Sequence, residues 1–292
     1  MNSLREAEKK IEEALSNVRD HSSVDASVLL GKTADKVCLL AEALLQEVKG
    51  NKEIMRLLAN VYVYDSNVFT HSLNVTVYSL LIGLKTNMNE KDLQTLGMGA
   101  ILHDVGKMFI PCEIMMKPGK LTEEEFIQIQ KHAEYGYELI RSIPFLSPEI
   151  SICAHQHHER LDGSGYPNRL TAEEIHPFAQ IIAIADVYDA VTSNRVYRSA
   201  MLPFEGLEIL NAGAGIQFSQ TILNAFRKSV AFYPNGLRVE LNDGRKGKVI
   251  AQNSLQGDRP IIQIEIEACD AERQPDVDLL AQPHLNIVKA AI

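Results

Sequence analysis

The sequence predicts a mainly α-helical protein with a small β-rich region near its C-terminus. Apolar residues recur at helical spacing through most of the first 232 residues, and residues 75–82 form an apolar run typical of a buried helix. Alternating apolar and polar residues, which indicate strands, appear only after the turn sequence Pro234-Asn235-Gly236. This change of pattern predicts an N-terminal helical segment at 1–60, a central helical domain at 61–234 and a β-rich appendix at 235–292.

The N-terminal segment carries a short heptad pattern. Its apolar positions are Leu4, Ala7, Ile11, Ala14 and Val18. Such a seam is compatible with a homodimer formed through the N-terminal helices, and equally with an amphipathic helix packed on its own domain. A second helix at 37–48 is expected to end near Gly50-Asn51.

Three signals define helices of the central domain. Thr122 and Glu125 form a capping box that predicts a helix through Ile140. Thr171 and Glu174 form a second candidate box, but Pro177 follows closely and predicts a long helix from that proline to about residue 193. Two further helices are expected at Pro203 and at 218–230.

The β-rich appendix opens with alternating apolar residues. Leu237, Val239 and Leu241 alternate with polar residues, and Asn242-Asp243-Gly244 is a hairpin turn sequence. Alternation returns at 249–250 and at 262–266, so the region is predicted to be a small sheet built from hairpins.

Bulk properties exclude several classes of protein. The 292 residues are 46% hydrophobic and 23% charged, which is typical of a globular protein. The formal net charge of −9 argues against a DNA- or RNA-binding protein with a broad basic face. An apolar run of about 18 uncharged residues is missing, so no membrane span is expected. The charged N-terminus and four scattered cysteines predict a cytoplasmic location.

Histidines cluster in the central domain. Six of the nine histidines lie between residues 71 and 158: His71, His103, His132, His155, His157 and His158. Most adjoin apolar helical sequence, and Asp104 and Asp186 have similar neighbours. One such histidine alone would be an ordinary core residue, but burying the whole set without a metal would be costly. The set therefore predicts a metal site inside a helical bundle. Within the cluster, His155 is interpreted as a flanking surface residue, and the three histidines outside it are interpreted as ordinary: His21, His176 and His284.

Three motifs identify a family resemblance. The strings HDVGK at 103–107, HHERLDGSGYP at 157–167 and IADVYDAVTSNRVYR at 184–198 closely resemble the HD-GYP family. Its members are metal-dependent phosphohydrolases of the HD superfamily that act on cyclic di-GMP in bacterial signalling. The resemblance extends from about residue 60 to about residue 232. It implies an HD-type helical bundle and a cyclic di-GMP phosphodiesterase.

The resemblance also implies roles for individual residues. The implied metal ligands are His71, His103, Asp104, His132, His157, His158 and Asp186. Asp104 would bridge two metals, and Lys107 would contact the scissile phosphate; these two are the implied catalytic residues. Tyr166 would line the substrate site, and Arg195 and Arg198 would contact the phosphates of the ligand.

The expected cofactors are two divalent metal ions. A shell of histidine and carboxylate ligands suits iron or manganese, which would hold a bridging hydroxide as nucleophile. Family members with three metals have a glutamate four residues before the first histidine, where this chain has Asn67. Asp65 has the wrong offset to replace it. Two metals are therefore expected, with hydrolysis to pGpG and slower hydrolysis on to GMP.

Two alternatives remain open at this stage. HDVGK alone would also suit an HD phosphohydrolase of another nucleotide or cyclic dinucleotide. A receptor that binds cyclic di-GMP, or docks a signalling protein partner, without turnover is the second alternative. Metal analysis and a substrate panel would separate these alternatives from a cyclic di-GMP phosphodiesterase.

Overall fold

The computed structural model describes residues 2–16, 32–193, 200–253, 255–265 and 275–291. Its helices are α1 (Asn2–Ser16), α2 (Lys32–Gly50), α3 (Lys52–Tyr64), α4 (Ser66–Lys85), α5 (Glu90–Leu102), α6 (Cys112–Met115), α7 (Glu123–Gln130), α8 (His132–Arg141), α9 (Pro148–Gln156), α10 (Pro177–Thr192), α11 (Pro203–Ala212) and α12 (Gln220–Arg227). A 3₁₀ turn, Val105–Phe109, follows α5. The strands are β1 (Arg238–Leu241), β2 (Lys246–Ala251), β3 (Ile261–Ile264), β4 (Val277–Asp278) and β5 (Ile287–Ala291).

The predicted fold class, mainly helical with a small C-terminal sheet, is confirmed. Among the described residues, no helix has both the length and the apolar character needed to cross a membrane.

Helix α4 lies at the centre of the helical region. It packs against α2, α5 and α10, and every residue from 75 to 82 is buried. A helix surrounded by other helices has no solvent-exposed face, which is why residues 75–82 include no charged side chain. The prediction of a buried helix here is confirmed.

The predicted break after α2 is confirmed. Asn51 caps α3, and its Oδ1 accepts hydrogen bonds from the backbone N–H groups of Glu53 and Ile54 at 3.0 and 3.2 Å. Asparagine is among the preferred residues at this position because its side chain satisfies donors that have no partner within the helix.

The Thr122 capping box is confirmed, but the helix it opens is shorter than predicted. Helix α7 ends at Gln130 and α8 begins at His132, so the helix predicted through Ile140 is interrupted at Lys131. The ring Nδ1 of His132 lies 2.6 Å from the carbonyl oxygen of Ile129, and Lys131 N–H bonds three residues back to Gln128. These local hydrogen bonds tighten the chain and replace regular α-helical bonding.

Helix α10 begins at the predicted proline. His176 precedes it, and its Nδ1 accepts the backbone N–H of Phe178 at 3.2 Å, so this histidine is a helix cap. The Thr171–Glu174 box forms its side-chain contacts within a turn, and no helix begins there. Pro177 fixes the start because proline is favoured in the first turn of a helix.

The described part of the heptad seam faces its own chain. Ala7 and Ile11 are buried in a cluster that also contains residues of α2, α3, α4 and α5. This contact corresponds to an amphipathic helix packed on its own domain. Val18 lies outside the described residues.

The C-terminal strands form one antiparallel sheet. The strand order is β4-β3-β2-β1-β5, and Val239 lies opposite Gly247 in the hairpin of β1 and β2. The predicted turn at 242–244 connects these two strands, and Gly244 has a φ of +88°, which favours glycine. Alternate residues fill an apolar core between the sheet and its loops.

Candidate metal centre

The structure brings all seven predicted ligands together. Five elements contribute them: α4 carries His71, the end of α5 leads into His103 and Asp104, α8 begins with His132, α9 leads into His157 and His158, and α10 carries Asp186. Of the seven, only His158 is not buried, and its side chain is 18% exposed. Side chains from distant parts of the sequence therefore form one polar cluster inside an apolar bundle.

Asp104 lies at the centre of the cluster. Its Oδ1 lies 3.4 Å from Nε2 of His132 and 3.7 Å from Nε2 of His157. Its Oδ2 lies 3.3 Å from Nε2 of His103 and 3.7 Å from Nε2 of His71. The two oxygens of one carboxylate thus face two different sets of histidines.

These contacts define two overlapping donor sets. One is Asp104, His132, His157 and His158, and the other is His71, His103 and Asp104. Within each set the donor atoms lie within 4.8 Å of one another. Asp186 lies between the sets, with Oδ1 2.9 Å from His71 Nε2 and Oδ2 3.9 Å from His158 Nδ1.

Second-sphere hydrogen bonds fix the orientation of four rings. In each of them Nδ1 contacts an oxygen acceptor: Asp189 Oδ2 for His71, Ala100 O for His103, Ile129 O for His132 and Ala154 O for His157, at 2.6, 2.6, 2.6 and 2.9 Å. A carbonyl or ionised carboxylate oxygen can only accept, so Nδ1 carries the proton in each ring. Nε2 is therefore the ring atom that can bind a metal; it faces Asp104 in all four rings, and in His71 it lies closer still to Asp186.

Two buried atoms at the centre have no hydrogen-bond partner among the described residues. They are Nε2 of His103 and Oδ1 of Asp104. A buried polar atom without a partner carries a desolvation cost of about 1–3 kcal/mol, so such atoms are rare in folded proteins. Both atoms are good ligands for a divalent cation, and the donor set contains imidazoles and carboxylates in suitable numbers for two of them. The residues present therefore fit a metal centre.

Protonation states in the cluster follow from burial and charge. Burial would raise the pKa of Asp104, but Lys107 and His103 lower it well below its usual range. Burial lowers the pKa of His132 to about 3 and also lowers the pKa of His157. An ionised carboxylate and neutral imidazoles are the forms that bind metals.

His71 differs from the other rings because two carboxylates face it. Burial lowers its pKa, but hydrogen bonds to Asp186 and Asp189 outweigh that effect and raise the pKa to about 9. The cluster thus carries a surplus of negative charge at this point, which a bound cation would neutralise.

Asp189 is a functional residue that the motif reading missed. Its Oδ2 accepts Nδ1–H of His71, and its Oδ1 accepts hydrogen bonds from Asn74 at 2.8 Å and Ser193 at 2.9 Å. A carboxylate behind a histidine fixes the tautomer and raises the basicity of the ring. Its position three residues after Asp186, on the same helix face, was the signal in the sequence.

Lys107 pairs with Asp104 in this structure. Its Nζ lies 2.5 Å from Asp104 Oδ2, and its side chain is 16% exposed. The 3₁₀ turn that carries Lys107 packs tightly on α8. If Gly106 had a Cβ, that atom would lie only 2.0 Å from the carbonyl oxygen of His132. The glycine of HDVGK is therefore required for two ligand-bearing segments to approach each other.

The loop that contains Tyr166 closes one side of the cluster. The ring of Tyr166 stacks on His158, with centroids 4.6 Å apart. Glu159 is buried, and its carboxylate accepts backbone N–H groups of Asn168 and Leu170 at 2.7 and 3.0 Å. Glu159, which sequence reasoning did not single out, thus holds the loop that positions Tyr166.

The remaining predicted positions lie outside the two donor sets or outside the described residues. Arg195 and Arg198 lie outside the described residues. Asn67 is exposed in the first turn of α4, and Asp65 caps that helix by accepting Asn67 N–H at 2.8 Å. His155 stacks on Tyr137 outside the two donor sets.

Known proteins provide independent comparisons. A family model described as an HD domain matches residues 40–222, which is more than half of the chain. A cyclic di-GMP phosphodiesterase of Pseudomonas aeruginosa is 35% identical over 215 residues, covering 73% of this chain and 51% of that protein. RpfG of Xanthomonas campestris pv. campestris, a cyclic di-GMP phosphodiesterase response regulator, is 38% identical over 152 residues, covering 52% and 40%.

A third relative has a different named substrate. The 3′3′-cGAMP-specific phosphodiesterase 2 of Vibrio cholerae is 35% identical over 196 residues, covering 66% of this chain and 37% of that protein. The chain thus spans about half the length of these curated relatives, or less. The family match and the clustered His-Asp motif confirm the resemblance found in the sequence: the chain belongs to the HD domain family.

Proposed function

We propose that this chain is a metal-dependent phosphodiesterase that hydrolyses cyclic di-GMP. The observation that carries the proposal is the pair of donor sets that share Asp104, with four Nε2 atoms directed at that carboxylate. Divalent metal binding is a property of HD domains, and the relatives named above as cyclic di-GMP phosphodiesterases support the substrate.

Each donor set would hold one cation, and Asp104 would serve both. His132, His157 and His158 would complete one site, and His71 and His103 the other, with Asp186 beside them. When bound, the two cations supply Lewis-acid stabilisation of the phosphodiester charge and lower the pKa of a water molecule.

The protein contributes orientation and charge. Acceptors behind four of the five rings hold those imidazoles in the tautomer that binds metal, so little reorganisation is needed when substrate arrives. Lys107 holds a positive charge at the partly exposed edge of the cluster, where it can approach a phosphate. Tyr166 limits access of water from the side of His158.

The proposed metals are iron or manganese. All seven donors are imidazoles or carboxylates, and none is a thiolate, which favours these ions over a structural zinc site. Two metals agree with the exposed asparagine at position 67, because a neutral amide binds a hard cation less strongly than a carboxylate does. The expected product is therefore the linear dinucleotide pGpG, and hydrolysis on to GMP is slower.

A second candidate substrate is 3′3′-cGAMP. The Vibrio cholerae relative named as specific for that nucleotide supports it. Both molecules are cyclic dinucleotides with the same phosphodiester chemistry, so the metal centre does not distinguish between them.

One experiment tests the proposal directly. Protein purified without oxygen is analysed for metal content, and its turnover of cyclic di-GMP and 3′3′-cGAMP is followed by nucleotide chromatography. Asp104→Ala should remove the metals and lower turnover about a thousandfold or more, because several kcal/mol of transition-state stabilisation are lost. Circular dichroism should show that the variant stays helical.

Glu42→Ala is the matched control, since Glu42 is an exposed carboxylate on α2. It should keep full metal content and activity. Wild-type protein that binds no metal, or that binds metal without cleaving either nucleotide, would refute the proposal. Rapid accumulation of GMP would refute the expected product.

A further inference from the structure

A cavity of about 450 Å³ opens beside the metal centre. It lies between the α7–α8 segment and the loop at 163–169, and Tyr166 is part of its wall. This volume falls in the range of small-molecule sites. Because Tyr166 lines the cavity and also stacks on the ligand residue His158, the cavity lies directly next to the metal centre. A ligand with a phosphate at the metals can extend past Tyr166 into it.

Three charged side chains line this cavity. They are Lys131 and Glu134 at the start of α8, and Arg169 in the loop. None of them forms an ion pair or a side-chain hydrogen bond with another residue in the part of the chain that the structure describes. Glu134 and Arg169 are exposed, and Lys131 is half-buried. Their polar groups are therefore available to a ligand.

Apolar and aromatic surface adjoins these charges. Ile127 lines the cavity and is 49% exposed, and its neighbour Phe126 is 46% exposed. The ring of Phe126 meets Tyr166 edge-on, with centroids 6.2 Å apart. Exposed aromatic side chains beside positive charge are the usual surface for stacking a nucleobase. The combination is typical of a site for a flat heterocycle with a polar edge.

We propose that this cavity binds a guanine base of the substrate and that Glu134 is the residue that recognises it. The inference rests on the proposed function, because it places in this cavity the base that adjoins a phosphodiester bound at the metal centre. Guanine carries neighbouring N1–H and N2–H donors, and the two oxygens of one carboxylate can accept both. Adenine has an acceptor at N1, which a carboxylate repels. Glu134 is thus a specificity-determining residue.

Positive charge completes the recognition. Guanine also presents acceptors at O6 and N7, to which lysine and arginine are well suited. Lys131 and Arg169 line the same cavity as Glu134 and can serve this purpose. The chain is therefore expected to prefer cyclic di-GMP over cyclic di-AMP, and to accept 3′3′-cGAMP through its single guanine.

Binding of hydrolysis-resistant phosphorothioate analogues tests this inference. The full chain loaded with Mn²⁺ is titrated with the analogues of cyclic di-GMP and cyclic di-AMP by calorimetry. Wild-type protein should prefer the guanine analogue by about tenfold or more, as one bidentate contact provides. Glu134→Gln should lose most of this preference, because its amide can pair with adenine as well as with guanine.

Glu138→Gln is the matched control. Glu138 is an exposed glutamate one turn further along the same helix, and it does not line the cavity. This variant should keep the wild-type preference. Equal binding of the two analogues by wild-type protein, or an unchanged preference in Glu134→Gln, would overturn the inference.

Turnover separates this inference from the proposed function. A chain that hydrolyses cyclic di-GMP while Glu134→Gln keeps its preference for guanine would refute the role of Glu134 alone. A chain that binds the guanine analogue through Glu134 but cleaves no cyclic dinucleotide would refute the phosphodiesterase and keep the base site.

Discussion

The helical region and the C-terminal sheet build their interiors differently. Among the described residues, every buried polar or charged side chain lies between residues 71 and 229. The sheet instead has an apolar core of Val239, Leu241, Val249, Ile262, Ile264, Val277, Leu279 and Leu285. In the part of the C-terminal region that the structure describes, the chain thus closes a core in which no charged residue is buried as a whole. The polar cluster in the helices supports the proposed metal centre, because it adds a desolvation cost that a hydrophobic core would avoid.

The first way to test this contrast is to damage the sheet. Ile262 is fully buried, and Ile262→Ala should lower the free energy of unfolding of the sheet by about 2–5 kcal/mol through lost contacts and a cavity. Metal content and turnover should stay at wild-type levels, because no residue of the sheet belongs to the donor sets. Denaturant unfolding and metal analysis measure the two effects.

Ile250→Ala serves as the control for this change. Ile250 lies on the neighbouring strand and is 38% exposed, so its loss should change stability by less than about 0.5 kcal/mol. Loss of metal in Ile262→Ala at temperatures where the helices remain folded would show that the two regions are not independent.

A second test changes the metal centre instead of the sheet. Asp189→Asn keeps the size of the side chain and removes the charge behind His71. Metal affinity should fall about 10- to 100-fold, the usual effect of losing a carboxylate that orients a metal-binding histidine. Competition with a chelator measures this affinity independently of turnover.

Glu208→Gln is a suitable comparison for Asp189→Asn, because Glu208 is an exposed carboxylate on α11. It should leave metal affinity unchanged. If Asp189→Asn binds metal as tightly as wild-type protein, the carboxylate is only part of the packing around α4.

The smallest expected effect concerns how closely the ligand-bearing segments approach. Gly106→Ala should lower the free energy of unfolding by about 1–3 kcal/mol, because its Cβ would collide with the backbone of His132. Gly50→Ala is the opposite case, since a Cβ there would meet no atom within 4 Å apart from its own chain neighbours and helix backbone. It should stabilise the protein by about 0.4–1 kcal/mol, because alanine lowers the conformational entropy of the unfolded chain. Denaturant titration of both variants measures the difference, and equal stabilities would contradict the close contact at Gly106.

Local patterns in the sequence predicted much of the fold. Three local signals predicted elements correctly: the largely apolar run at 75–82, Pro177 and the turn at 242–244. Each acts through its immediate neighbours, so short segments of sequence are enough to predict the element. The interruption at Lys131 was missed because it depends on the ring of His132 bonding to Ile129, and nothing in the helical pattern encodes that. Motif resemblance identified the seven clustered residues and assigned Tyr166 to the substrate site. It gave no role to Glu159 and did not identify Lys131, Glu134 or Arg169 as lining a cavity beside Tyr166.

The sequence by itself determined which side chains are available for metal chemistry, because residue type and helical periodicity are local properties. Only the tertiary structure decided which oxygen of Asp104 faces which histidines and which acceptor fixes each ring. His71 and Asp186 are 115 positions apart, yet their atoms lie 2.9 Å from each other. That distance is set by the packing of α4 on α10, and such long-range packing depends on the whole core.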